Sequence, residues 1–533
     1  MKNTKASNNS ILFKAKRLVK DMLEDKYLSE TFKNINYPQV TKGNILLYSA
    51  IGQMYLTPLE ILMYHLLRME GYAVDYLIYD EAVPLNELIT KKVLTETGKD
   101  AFWNKVVKNA ARMLKAAKVK FQFIDFPKEI DTMIAPVKNN LDEILKFKYD
   151  GIDFGDIVLG VMYRFYKSTN FEADAAERAA EFLKTSLANY LQVKKLCENK
   201  EYKHVMFSHG IYCTWQPVAE YCTRNNVNYI CYDRGKRNAS TNFNVNQPSP
   251  DWSFDTALDR YAERQLTPKE HDMVQEYMVD RELQKGDVYS YNPAPREADV
   301  LAVKNKLGIK PGAKVITIFT NLIWDAANVA RDIAFPSALS CIEQTISYFK
   351  DNPDVHILVR SHPAEKVLGT NERYGNLIRE KFNNQLPANV SVIDPEMDIN
   401  SFTVIDMSDI GVVNTSTVGL EFAMMAKPIV LISETHYRNK GFTYDPVNTK
   451  QYFEMLEKLL VNTDLLKNQA ELAQKYFYMM MFLYQKDIPV KFKNGKFDGY
   501  TFKKPADIPQ TENIIRIIKS LDSPNLQDFI FWD

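Results

Sequence analysis

Two of the chain's seven histidines close apolar runs, and both positions could do chemistry. VRSHPAE (359–365) ends the aliphatic run Val355 to Val359, and FSHGIY (207–212) ends the run that starts at His204. An arginine, a serine and an imidazole add nothing to a strand's buried surface. At the carboxyl end of a strand they can meet a ligand. Pro363 disfavours helical backbone at His362, which leaves that imidazole at the mouth of a cleft. There it can hydrogen-bond a phosphate or a sugar carboxylate, with Arg360 adding charge. Histidine as a residue type suits a base that removes a proton from a hydroxyl, which makes His209 a candidate. Asp233, at the end of NYICYD (228–233), and Glu60, in the helical stretch after Thr57-Pro58, are rival bases.

The second half repeats this accumulation of polar residues. One apolar run ends in Thr320, Asn321, Trp324 and Asp325, and the next in Arg360, Ser361, His362, Pro363 and Glu365. A third ends in Asn414, Thr415, Ser416 and Thr417, and a fourth in Ser433, Glu434, His436, Tyr437 and Arg438. Each cluster alone reads as a turn or a cap; four at one edge read as a binding site. Within NTSTVGLEFAMMAKP (414–428), Ser416 or Thr417 can cap a helix whose first N–H groups suit phosphate. Glu421, one turn inside, is placed as the acidic residue that takes a ribose diol in dinucleotide folds. A capping box would need the glutamate three residues after its cap, which only Val418 satisfies, and valine cannot cap.

These positions follow from alternating strands and helices. NILLYSA (44–50), a helical pattern through Leu59, Leu62, Met63, Leu66 and Leu67, and VDYLIYD (74–80) make a βαβ unit, which implies a parallel sheet. Residues 85–200 read as mainly helical, with FQFIDF (121–126) as a strand. HVMFSHG and NYICYD continue the sheet, and the Asn/Ser/Pro-rich stretch 238–252 reads as a loop. A second set follows Pro311-Gly312: KVITIFT (314–320), DVHILVR (354–360), VSVID (390–394), DIGVV (409–413) and PIVLIS (428–433). The expected fold is α/β, with two doubly wound Rossmann-like domains facing each other. The boundaries are 1–265, a helical connector 266–310, a second domain 311–480 and a helical tail 481–533.

Composition narrows the partners. Lys+Arg and Asp+Glu are 67 each, which argues against nucleic acid. The five cysteines form no CxxC pair, so neither a disulfide framework nor a zinc site is expected, and a reducing cytoplasm fits. No apolar run reaches the ~20 residues of a membrane span, and no signal peptide is evident. Ile11, Ala15, Leu18 and Met22 recur at helical spacing among Lys14, Lys16, Arg17 and Lys20, so the first helix either packs on its own protein or touches a membrane surface.

FTNLIWDAA (319–327), LVRSHPAE (358–365), NTSTVGLEFAMMAKPIV (414–430) and HYRNKGFTYDP (436–446) occur in order. The series resembles the bacterial capsule polysaccharide biosynthesis glycosyltransferases, including Kdo-transferase-like proteins, and is distantly similar to teichoic-acid polyol-phosphate polymerases. The resemblance covers about 130 residues of the second half. It implies a GT-B fold with no bound metal and no cofactor. The second domain would hold a nucleotide-sugar donor and the first a glycan or lipid-linked glycan acceptor. Its donor-site roles fall on His362, Ser416, Thr417 and Glu421, in company with Asn321, Arg360, Ser361, Glu365 and Thr415. The implied activity is transfer of a sugar, with a CMP-linked acidic sugar as the favoured donor, to a capsule or other surface glycan. A cytoplasmic enzyme is expected, with peripheral contact to the inner membrane left open. A polyol-phosphate transferase using a CDP-glycerol-like donor, a nucleotide-sugar epimerase and a noncatalytic glycan-binding subunit stay open as alternatives.

Overall fold

The protein is described from a computed structural model covering residues 2–51, 55–79, 83–253, 255–283, 285, 294–325, 328–462, 469–493, 496–524 and 526, with side chains from residue 16 onward except those of Thr256 and Ala262. Most of the loop after the first strand (52–54), Asp80, Ala326, Ala327, part of the connector and part of the basic loop 491–496 lie outside the described residues.

The first half is built on a seven-stranded sheet. Its order is Lys486–Asp487, Ser240–Val245, Tyr229–Arg234, His204–Ser208, Asn44–Ala50, Ala73–Ile78 and Gln122–Phe123. The strands from Tyr229–Arg234 to Gln122–Phe123 run parallel. Period-two alternation sends Ile45 and Leu47 into one core and Leu46 and Tyr48 into the other, so both faces are covered, as a parallel sheet requires.

The second half is a five-stranded, wholly parallel sheet. Its order is Val390–Ile393, Val355–Arg360, Lys314–Phe319, Ile410–Val413 and Ile429–Leu431. Every strand read from its aliphatic run is present there. Ile316 and Ile318 face one core, Val315 and Phe319 the other. The chain order reverses on either side of the Lys314–Phe319 strand, so the sheet has a switch point, and a crevice opens beyond its carboxyl ends.

Two readings are corrected. The stretch 238–252 is not all loop: Ser240–Val245 pairs antiparallel with Tyr229–Arg234. Its composition hid it because Ser240, Thr241 and Asn244 are buried polar residues held by hydrogen bonds, such as Tyr484 to Asn244. The segment from 481 is not a helical tail. After helix Gln469–Tyr478 and a π-helical turn Met479–Tyr484, it returns to the first sheet as edge strand Lys486–Asp487. It continues as the hairpin Val490–Lys493/Lys496–Tyr500 and ends in helix Asn513–Lys519. Ile514, Ile515, Ile517 and Ile518 of that helix are buried against Leu59, Leu62 and Leu66 of helix Leu56–Met69.

Candidate functional site

The carboxyl ends of both sheets open onto one cleft of about 1020 Å³. From the first half it receives Tyr55, Glu87, Arg164, Lys167, His209, Asp233 and Arg234. From the second half come Thr320, Asn321, Trp324, Arg360, Ser361, His362, Thr415, Ser416, Thr417, Glu421 and His436. The four polar clusters of the second half therefore do converge.

His209 follows directly on strand His204–Ser208, with φ 20°, a value L residues rarely adopt. Gly210 continues the turn at φ 77°, and a Cβ there would lie 2.9 Å from Cys231 Sγ and 3.1 Å from Pro248. Only glycine fits, so the backbone turns hard and leaves the imidazole on the cleft wall. Ser208 Oγ lies 3.1 Å from His209 Nδ1, and Asp233 Oδ1 lies 3.9 Å from Nε2. The Trp215 ring, 4.7 Å away, backs the imidazole. The structure thus brings the first two base candidates side by side.

Glu60 is elsewhere. It is 1% exposed inside the first core, where its carboxylate accepts from Ser49 Oγ (2.7 Å), Tyr76 Oη (2.7 Å) and Tyr232 Oη (2.6 Å). Burial raises its pKa against those three bonds. It serves as a polar tie across the sheet and does not reach the cleft.

In the second half, His362 receives its backbone position from Thr320, whose Oγ1 accepts from His362 N at 3.1 Å. Its Nδ1 accepts from Ala364 N at 3.1 Å. Burial, with the Arg360 charge beside it, lowers its pKa to about 4, so it is a neutral ring at neutral pH. Arg360 is 1% exposed, and its guanidinium donates to the Ile399 carbonyl at 3.1 Å and more weakly to that of Asp394 at 3.4 Å. Burial lowers its pKa to about 10, which still leaves it a cation. Ser361 is buried, with no partner for its hydroxyl among the described residues.

Glu365 does not line the cleft. The short helix Ala364–Val367 turns it inward, where it is fully buried and burial raises its pKa to about 7. Sequence spacing from His362 could not show which way that turn faces.

Asn321 donates to Thr415 Oγ1 and, at 3.3 Å, to Asn328 Oδ1, which joins the first and third polar clusters. Helix Val418–Met424 begins at Thr417 without a side-chain cap bond; Ser416 Oγ accepts from Val418 N at 3.4 Å. With seven residues the helix supplies only a short dipole. Glu421 lines the cleft, buried, and its Oε1 is ion-paired with Arg281 Nε. Arg281 comes from helix Pro268–Glu282 of the connector, and no local pattern singled it out.

Sequence reasoning also missed Arg164, Lys167, Glu87 and Arg331, all of which line the cleft. Arg164 and Lys167 sit in and just after the last turn of helix Phe154–Tyr166, where the pattern showed only an apolar face. Among the described lining residues, Arg164, Lys167, Arg234, Lys236, Arg281, Arg331 and Arg360 outnumber Glu87, Asp233, Asp325, Glu421 and Glu434. In a chain of zero formal charge, that excess is local and suits an anionic ligand. Among the described residues, no group of three or more His, Cys, Asp or Glu is placed to hold a metal ion.

Two Rossmann-like sheets whose carboxyl ends share a cleft define the GT-B architecture. Residues 285–484 match the family model described as capsule polysaccharide biosynthesis protein, a span that contains all four motifs of the second half. The match agrees with the resemblance that those motifs carry. No curated protein matches the chain. Among solved structures the chain is similar to two from Thermosulfurimonas dismutans, KpsC beta Kdo 2,7 transferase and KpsC beta Kdo 2,4 transferase. The first is 14% identical over 58% of this chain and 85% of that one, with a TM-score of 0.32. The second is 16% identical over 60% and 87%, with a TM-score of 0.34. A UDP-GlcNAc 2-epimerase from Neisseria meningitidis matches at 11% identity over 82% and 99%, with a TM-score of 0.27.

Proposed function

We propose that the protein is a glycosyltransferase that moves a sugar from a nucleotide-sugar donor to a capsule or other surface glycan. The observation that carries this reading is the shared cleft, with a histidine–aspartate pair on one wall and the family's polar motifs on the other. In this reading Asn321, Ser361, His362, Thr415, Ser416 and Thr417 bind the donor, and Glu421 takes the ribose. His209, with Asp233 beside it, accepts the acceptor's hydroxyl proton as the oxygen attacks the anomeric carbon and the nucleotide leaves with the bonding pair. The cleft's own cations meet the leaving phosphate. The motif likeness to Kdo-transferase-like proteins favours a CMP-linked acidic sugar as donor. The chain would act in the cytoplasm, with its first helix at the membrane surface.

The test is nucleotide binding. Melting curves with CMP, CDP, UDP and GDP should show stabilisation by one of them, about 2.7 kcal/mol at a hundred times its dissociation constant. His362→Ala should then bind that nucleotide about 10- to 150-fold more weakly, the range of a lost hydrogen bond to a charged partner. Glu421→Gln should weaken it similarly, but it also breaks the Arg281 pair, so His362 is the cleaner probe. Loss of stability with unchanged nucleotide affinity in both variants would reduce these residues to a turn. A donor isomerised without acceptor would point to an epimerase.

A further inference from the structure

We propose that Arg164 and Lys167 form a subsite for an anionic group of the acceptor, a sugar carboxylate or a phosphate, on the first half's wall of the cleft. The proposal rests on the reading of that wall as the acceptor side. Both side chains are half-buried and line the cleft. Arg164 donates from Nε to the Glu87 carbonyl at 3.0 Å and from Nη1 to Tyr212 Oη at 3.3 Å. The Lys167 ammonium lies 3.3 Å from the centre of the Trp324 ring. All of these partners are uncharged. By contrast, the cleft cations Arg281 and Arg331 are paired with Glu421 and Asp251.

The charges facing Lys167 are Arg164, on its own helix, and Asp325, from the loop after strand Lys314–Phe319. Burial and then Arg164 lower its pKa to about 7, and Asp325 only partly opposes them. Asp325 and Glu87 also face Arg164, and burial raises the pKa of the Glu87 carboxyl. Its Oε2 is taken by Thr214 Oγ1 at 2.9 Å and Cys213 Sγ at 3.3 Å, while Oε1 is buried without a partner among the described residues. Two neighbouring basic groups, neither ion-paired with a described residue, make a place where a bound anion relieves repulsion and accepts several charge-assisted bonds. Tyr212 links this place to the base, since its ring lies 6.2 Å from the His209 ring. An acceptor anchored here by its anionic group would present a neighbouring hydroxyl to His209. The helix end favours cations, but a dipole's partial charge does not neutralise two of them.

The test uses the full chain and reads tryptophan emission, because an anion that draws the ammonium away from Trp324 alters that ring's surroundings. Inorganic phosphate and methyl glucuronide are titrated separately, and the more tightly held probe names the source of the charge. The expected result is a saturable change in emission that Trp324→Phe abolishes. Its dissociation constant should rise roughly tenfold or more in Lys167→Met and in Arg164→Gln, and Lys167→Arg should retain most of the affinity. Equal dissociation constants in wild type, Lys167→Met and Arg164→Gln would overturn the proposal, as would a Trp324 signal indifferent to both probes. Lys167→Arg keeps the test decisive should the neutral variants not fold, since an arginine variant that loses all binding also contradicts a charge-based site. No donor is present in these titrations. A chain that binds the anion but no nucleotide would lose the proposed function and keep the subsite; the reverse result would remove the subsite alone.

Discussion

At the scale of single residues, the proposed base His209 stands on a tightly constrained turn. The close approach of Gly210 to Cys231 and Pro248 fixes the turn that presents it. His209→Ala is expected to lower turnover by about 10²–10⁴-fold, the usual scale for a lost general base, with donor affinity unchanged. Steady-state rates beside calorimetric donor titration check this; an unchanged rate would transfer the role to Asp233. Glu365 gives a pH prediction instead. Its folded pKa of about 7 lies above the ordinary glutamate value of 4.5, so its protonated form favours the fold. That contribution is complete below pH 4.5 and is lost as pH rises through 7. Glu365→Gln mimics the protonated acid, so the variant should be more stable than wild type at pH 8 by up to about 3 kcal/mol. The two should converge near pH 5. Urea melts at both pH values decide it, and a difference independent of pH would mean that the carboxyl is charged throughout.

At the scale of elements, the first helix, Lys2–Thr31, divides into two parts. Leu28 and Phe32 are buried with Ile61 and Leu62, and Arg112 is ion-paired with Glu24 and Asp25, which binds the helix to Lys99–Ala116. Leu18 and Met22, by contrast, are 64% and 69% exposed. The first twenty residues carry six Lys or Arg and no Asp or Glu. Deleting residues 1–20 should leave melting and transfer to a soluble acceptor unchanged and abolish sedimentation with vesicles containing anionic lipid. Deleting residues 1–31 should unfold the first half. Vesicle binding that survives the shorter deletion would remove the membrane role of this helix. Among the described residues, no helix is long and apolar enough to cross a membrane.

At the scale of the whole molecule, the contacts that join the halves include the returning segment 481–487 and a latch beside the cleft. In the latch Glu372 accepts from Ser168 Oγ (2.9 Å), Thr169 N (2.6 Å), Thr169 Oγ1 (2.7 Å) and Asn170 Nδ2 (2.8 Å). Asn371 Nδ2 donates to the Tyr166 carbonyl at 2.7 Å. These contacts hold the loop that bears Lys167. Glu372→Ala should therefore cost roughly 1–3 kcal/mol, enlarge the radius of gyration in solution scattering and raise KM more than it lowers kcat. An unchanged scattering profile with normal kinetics would make the latch a surface contact. The sequence alone determined the parallel strands of both sheets, because aliphatic runs with helical intervals leave few other folds. It also determined which residues stand at their carboxyl ends, since a strand's end is a local property. Only the tertiary structure decided which of those residues share a cleft. Glu60 looked available until Ser49, Tyr76 and Tyr232, brought from three separate strands, closed around it. Arg164, Lys167 and Arg281 looked like ordinary helix charges until packing set them opposite the second sheet. Local spacing encodes the direction of a side chain within its own element, whereas a charge acquires a partner only when distant elements meet.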